Sequence, residues 1–258
     1  MRRALVLVLA LSGCHEETAA ASVPTAATAG PAAHDPAAYE AALGRIEARR
    51  EALGRRLRAA DSGAARAEIR AEARAYALQA MREVIFPAWM GTPWGLGARS
   101  TPTRPHQADT VIACGYFISS ALENLGLRLD TRFRFAQAPA LHAQRSLAPA
   151  RGDLHRYFSV AGDRLARDIA ALGEGLYIIG LSNHIAFVDV RAGEVRLVHA
   201  SYTDAQVVID EPLATARVIA NSRAAGYFVT PLLQDDRLIE RWLRGEAVPL
   251  QQLGVGDS

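Results

Sequence analysis

Cysteine is scarce in this chain, which has two cysteines in 258 residues, and that scarcity excludes a fold held together by several disulfides. Lysine is absent, and no basic tract alternates with aromatic residues, so we expect no nucleic-acid partner. There is no phosphate-binding glycine loop and no dinucleotide fingerprint, and we expect no cofactor. Beyond the N-terminus no apolar run is long enough to predict a transmembrane helix.

The first residues are typical of an export signal. Arg2 and Arg3 precede an apolar run from Ala4 to Leu11, which is much shorter than the roughly 20 residues of a bilayer span. We therefore interpret residues 1–13 as a signal peptide and exclude them from the reasoning about the fold.

Cys14 ends the stretch Leu-Ser-Gly-Cys, which resembles the lipobox of bacterial lipoproteins. That resemblance implies a lipid thioether on Cys14 and an exported, lipid-anchored protein. With His15 in place of Asp, it implies the outer membrane, facing the periplasm. Residues 14–34 are rich in Ala and Thr and nearly lack large apolar side chains, which predicts a flexible tether. An ordinary signal peptide that is cleaved elsewhere is the alternative.

A helical hairpin is expected over residues 35–85. Asp35 is followed by proline, the pattern of an N-cap and a first helical position. The helix then carries one apolar stripe. Its members are Tyr39, Leu43, Ile46, Leu53 and Leu57. After a break at 61–63, a second helix is predicted from Ala64 to Val84, ending before Pro87. The hairpin packs on the core or serves as a stalk in this interpretation, and a protein partner is the alternative.

The remaining residues, 86–258, predict one α+β domain. Residues 86–110 are rich in Gly, Pro and Trp, which favours a long loop at the wall of a cleft. A helix is predicted from Cys114 to Leu125. Later segments have the period of strands and of short helices, and helices followed by an antiparallel sheet define the α+β class. The predicted strands cover 176–181, 184–190, 195–200, 206–209 and 226–230, and further helices cover 163–172, 212–220 and 235–243.

Cys114 is the candidate nucleophile. With Cys14 lipidated, it has no disulfide partner, and an unpaired thiol in an exported protein is a candidate reactive group. At a helix start, free N–H groups favour the thiolate, so we expect a pKa well below the value of about 8.5 for free cysteine. We expect Gly115 to let a substrate carbonyl approach and the Cys114 N–H to donate to an oxyanion. A buried structural cysteine is the alternative.

His184 and His199 are the candidate partners of this thiol. A hairpin turn at 192–193 pairs positions whose numbers sum to about 385, which places His184 within two residues of His199 and Ser201. His184 is then the expected base, and His199 is expected to hold its tautomer through a hydrogen bond. Ser201 or Asp204 in the place of His199 is the alternative.

A cysteine at a helix start followed by two histidines on neighbouring strands resembles the papain-like cysteine peptidases of the NlpC type. The resemblance covers about residues 110–200 and implies Cys114 as nucleophile, His184 as base and His199 as orienting residue. The usual Asp-Cys-Ser is replaced by Ala-Cys-Gly around Cys114, a departure from the standard peptidoglycan peptidases.

The expected reaction is hydrolysis of an amide bond through a thioester on Cys114. Peptidoglycan stem peptides are the expected substrate because they lie within reach of the tether. Acyl transfer by the same nucleophile, and a binding or scaffold lipoprotein without activity, are the alternatives. Zinc held by Cys114, His184 and His199 is a weaker alternative, because no close-spaced pair of ligands supports it.

Overall fold

A computed structural model describes residues 34–96, 103–148 and 151–251. The predicted signal peptide, Cys14 and the tether up to residue 33 lie outside the described residues. The described chain is of the mixed α+β class, as predicted, with an antiparallel six-stranded sheet. No helix in these ranges has both the length and the apolar character that a bilayer span requires.

Two long helices open the described chain. Helix α1 (Pro36–Ala59) begins where predicted, and the Asp35 side chain caps it by accepting from two backbone N–H groups. Helix α2 (Gly63–Ala80) is capped by the Ser62 side chain. Most of the predicted stripe on α1 is buried. Its buried members are Tyr39, Ile46, Leu53 and Leu57.

The predicted end of the second helix before Pro87 is wrong. A π-helical turn (Met81–Ile85) follows α2, and helix α3 (Phe86–Trp89) continues from it with Pro87 in its first turn. The Phe86 N–H donates to the Met81 carbonyl, which is one residue further back than in an α-helix. Proline lacks an N–H, and the first turn of a new helix is where that donor is not needed.

The other elements follow in chain order. The helices are α4 (Cys114–Asn124), α5 (Arg132–Gln137), α6 (Ala140–Leu147), α7 (Gly162–Ala170), α8 (Arg217–Ser222) and α9 (Asp236–Arg244). The strands are β1 (Arg128–Leu129), β2 (His155–Tyr157), β3 (Gly175–Gly180), β4 (Ile185–Arg191), β5 (Glu194–Ala200), β6 (Val208–Pro212), β7 (Tyr227–Pro231) and β8 (Ala247–Val248).

The main sheet has the strand order β2-β7-β3-β4-β5-β6 and is antiparallel throughout, while β1 and β8 form a separate parallel pair. Strands β4 and β5 are joined by Ala192 (φ 49°) and Gly193 (φ 80°), and two positive φ angles define a type I′ hairpin turn. Phe187 pairs with Val198, which is the register predicted from the sequence.

Each face of the sheet covers its own core. Along β4, Phe187 belongs to the core beneath α4, whereas Val188 belongs to the core beneath α7 and α8. The N-terminal helices join the first of these cores, and the buried carboxylate of Asp189 on β4 accepts from Arg82 at 2.6 and 2.9 Å. The strand that follows His184 is therefore fastened to the helical hairpin.

Candidate functional site

Cys114 is the first residue of α4, as predicted. The preceding residue, Ala113, is extended (φ −88°, ψ 162°), and no side chain caps this helix end. The first-turn N–H groups are therefore free to face other acceptors. The thiol is free and partly buried against the first core.

The pKa of the Cys114 thiol is raised above its ordinary value, mainly because the thiol is buried. The backbone N–H groups of Ile185, Gly115 and Cys114 itself face the sulfur and act in the opposite direction. The sequence-based expectation of a lowered pKa is therefore wrong in direction. Desolvation by the surrounding segments outweighs the helix terminus, and the resting group is a thiol rather than a thiolate.

The N–H of Ile185 reaches the thiol because strands β4 and β5 separate at this end of the sheet. Strand β4 begins at Ile185 and β5 ends at Ala200, but their ladder stops at the pair Phe187 and Val198. The Cys114 sulfur thus lies beside the peptide that joins His184 to Ile185.

Across the same gap, a hydrogen bond joins the two histidines. His184 Nε2 lies 2.8 Å from His199 Nδ1, with the rings edge to face. His199 Nε2 lies 2.9 Å from a carboxylate oxygen of Glu211. His199 is fully buried and His184 is 4% exposed, so both rings are held by their surroundings.

The hydrogen bonds among His184, His199 and Glu211 assign the tautomers of the two imidazoles. The Glu211 carboxylate accepts from His199 Nε2, so His199 Nδ1 carries no proton and accepts from His184 Nε2. His184 Nδ1 is then a bare acceptor. It is buried and has no hydrogen-bond partner among the described residues. Burial, followed by repulsion from His199, lowers the pKa of His184 from 6.5 to about 3.

Glu211 is the residue that the sequence reasoning missed. The strand containing it was predicted to end at residue 209, whereas β6 runs from Val208 to Pro212. In the observed register His199 pairs with Ile209, and Glu211 lies two residues further along the same face. Extending the alternation of β6 by two residues would have indicated it.

The two alternative orienting residues are engaged elsewhere. The Ser201 hydroxyl lies 2.9 Å from the Thr203 hydroxyl, and exposed Asp204 forms an ion pair with Arg217 at 2.6 Å. No group of three or more His, Cys, Asp or Glu side chains in the described ranges is arranged to hold a metal ion.

The thiol and the base candidate line one cleft of about 510 Å³. They reach it from different sides. Alternation along β5 places His199 on the face of the second core, and His184, the residue before β4, is hydrogen-bonded to it, whereas α4 covers the first core. The other lining residues are Gly115, Ala136, Ala138, Pro139, Ala140, Leu141, Gly180, Leu181, Ser182, Asn183, Ile185, Ala225, Gly226 and Phe228.

Gly115 has a packing role that the sequence did not indicate. A Cβ at this position would lie 2.0 Å from the Ala136 carbonyl oxygen, so the absent side chain admits the backbone of α5. Gly115 also lines the cleft, so the approach of a substrate carbonyl to it stays a prediction.

Comparisons with protein-family models, with curated proteins and with solved structures gave no match to this chain.

Proposed function

We propose that this protein is a papain-like cysteine hydrolase that cleaves an amide or ester through a thioester on Cys114. The observation that carries the proposal is the hydrogen-bonded series His184, His199 and Glu211, which leaves the buried Nδ1 of His184 without a partner in a residue that lines the same cleft as Cys114. A buried imidazole nitrogen without a partner is costly in a folded protein, and a proton-transfer role accounts for it.

In the proposed reaction, Cys114 Sγ attacks the substrate carbonyl carbon while His184 Nδ1 takes the thiol proton. The C–N or C–O bond then breaks, and His184 returns the proton to the leaving group. Water hydrolyses the thioester in the second half, with His184 as base again. Burial disfavours both the thiolate of Cys114 and the imidazolium of His184. The proton therefore moves from the thiol to His184 during the attack, and no thiolate–imidazolium pair forms beforehand.

His199 and Glu211 act as positioning residues in this scheme. They hold the His184 ring and keep its proton on Nε2. When His184 becomes an imidazolium, the Glu211 carboxylate at the other end of the series stabilises the charge. The backbone N–H groups that face the sulfur are the candidate donors to an oxyanion.

The test is acylation of Cys114 by p-nitrophenyl acetate, followed by nitrophenol release and mass spectrometry of the protein. We expect a stoichiometric burst in the wild type, no adduct in Cys114→Ala, and a rate lower by about 100-fold or more in His184→Ala. His155→Ala, on strand β2 outside the cleft, is the matched control and should keep the wild-type rate. Equal acylation rates in His184→Ala and His155→Ala would show that His184 has no role in the chemistry. A binding or scaffold protein would then be the remaining interpretation.

The cell-envelope location belongs to the same proposal and depends on residues 1–34. A lipid on Cys14 would tether the hydrolase to the outer membrane, with peptidoglycan within reach. Membrane fractionation of the full chain and of Cys14→Ser tests this, since only the wild type should sediment with the membrane. Equal partitioning of the two proteins would contradict it.

A further inference from the structure

The described wall of the cleft carries no Asp, Glu or Arg, although 22% of the chain is charged. Beside Cys114 and His184, the polar side chains on the wall are Ser182 and Asn183, both in the exposed turn between β3 and β4. The lining side chains offer no opposite charge to a carboxylate or ammonium group of a substrate, and burying an unpaired charge is costly. The Arg156 guanidinium lies over the ring of Phe228, 5.8 Å from its centroid, but Arg156 is not a lining residue.

The wall is formed by small and apolar residues on two sides. One side is the segment from α5 to α6, including Ala138 and Leu141, and the other includes Gly180 and Phe228 on β3 and β7. A Cβ at Gly180 would lie 2.7 Å from Gln144 Oε1, so helix α6 packs directly on the strand. Small and apolar side chains on these closely packed elements therefore form most of the wall beside the thiol.

Two exposed aromatic side chains lie on segments that border the cleft. Phe158 is 58% exposed, and its ring lies edge to face with that of Phe228, 6.2 Å between centroids. Phe133 is 50% exposed and lies on α5, about one turn before Ala136. These are two of the three large apolar residues that are exposed by half or more in the described ranges. Phe158 therefore extends the apolar surface of the lining residue Phe228 towards solvent.

We propose that the cleft binds a neutral, apolar acyl chain, so that the group transferred to Cys114 is a fatty-acyl type of group rather than a charged stem peptide. This rests on the proposed function and specifies its substrate class. Sγ bonds to the acyl carbon, the leaving oxygen or nitrogen takes the proton from His184, and the chain lies along the wall between Leu141 and Phe228.

Binding is tested apart from catalysis by protection of Cys114 from iodoacetamide. Acetamide, butyramide, hexanamide and octanamide are neutral probes of increasing length, and mass spectrometry of the protein distinguishes protection by binding from acylation of Cys114 by the amide itself. We expect their dissociation constants to fall about fourfold per added methylene, which is the equivalent of about 0.8 kcal/mol. Glutaramate, which carries a carboxylate, should protect less than butyramide. Equal protection along the series, or stronger protection by glutaramate, would overturn the acyl-chain proposal.

Turnover gives the second readout, with p-nitrophenyl esters from acetate to octanoate and the glutarate monoester. The acylation rate should rise with chain length and be low for the glutarate. Ala225→Arg adds a cation to the wall and should favour the glutarate, whereas Ala224→Arg, an exposed neighbour outside the lining, should leave the profile unchanged. Protection by octanamide with no acylation by any ester would refute the proposed hydrolase activity but not the apolar cleft. Acylation at a rate that does not depend on chain length would refute only the preference for an apolar acyl chain.

Discussion

Acidification is expected to destabilise this protein through His184. The residue is 4% exposed, and burial together with repulsion from His199 lowers the pKa of its imidazole from 6.5 to about 3. The folded state therefore binds this proton more weakly than the unfolded state. The contribution of neutral His184 to the free energy of unfolding is fully present above its unfolded pKa of 6.5 and is lost as the pH falls from there towards 3.

The magnitude follows from the pKa difference. At pH 5.0 the solution is about 1.5 units below the unfolded pKa of His184 and still well above its folded pKa, and each unit corresponds to about 1.4 kcal/mol. His184 alone should therefore lower the free energy of unfolding by about 2 kcal/mol between pH 7.5 and pH 5.0. That is a large share of the stability of an ordinary domain, about 5–15 kcal/mol.

Urea unfolding at these two pH values measures the effect in the wild type, His184→Asn and Cys114→Ser. Between the two pH values, the wild type should lose about 2 kcal/mol more than His184→Asn, which has no imidazole to protonate. Cys114→Ser retains the histidine pair and should follow the wild type. If His184→Asn loses as much free energy as the wild type, the buried, neutral state of His184 is refuted.

Two further substitutions test the positioning series and the packing of the nucleophile helix. In Glu211→Gln the side-chain amide can donate to His199 Nε2 and reverse the tautomers of both imidazoles, so acylation of Cys114 should slow at least about tenfold. Asp210→Asn, on the same strand, is the control and should keep the wild-type acylation rate. Equal acylation rates in the two variants would contradict the positioning role of Glu211. Gly115→Ala places a Cβ 2.0 Å from the Ala136 carbonyl oxygen and should lower the free energy of unfolding, measured by chemical denaturation, by about 1–3 kcal/mol. The control is Gly44→Ala, at an exposed position on α1 with open space around it, which should raise the free energy of unfolding by up to about 1 kcal/mol. A harmless Gly115→Ala would contradict the close packing of α5 on α4.

The parts of the site that local sequence predicted are those that depend on short-range rules. The hairpin turn at 192–193 sets the pairing of Phe187 with Val198, and this register brings His184 to His199. Likewise, the loop before Cys114 and the apolar spacing after it predict the helix start that is observed. Turn chemistry and side-chain period act within a few residues, so they can be read without knowledge of the rest of the fold.

Errors occurred where distant segments decide the outcome. The pKa of Cys114 was expected to be low from its helix position alone, but the burial that raises it comes from tertiary packing. The packing of α5 against Gly115 was not predicted, because it depends on where a later helix lies in the fold. Glu211 could not be assigned without knowing that its strand lies beside β5.

From residue types and spacing, the sequence by itself determined the α+β class, the helix start at Cys114 and the proximity of the two histidines. Only the tertiary structure decided the charge states of the thiol and of His184, the participation of Glu211 and the uncharged wall of the cleft. The reason is physical. Secondary structure and hairpin register follow from local sterics and hydrogen bonds, whereas desolvation and the composition of a cleft depend on which distant segments exclude water from it.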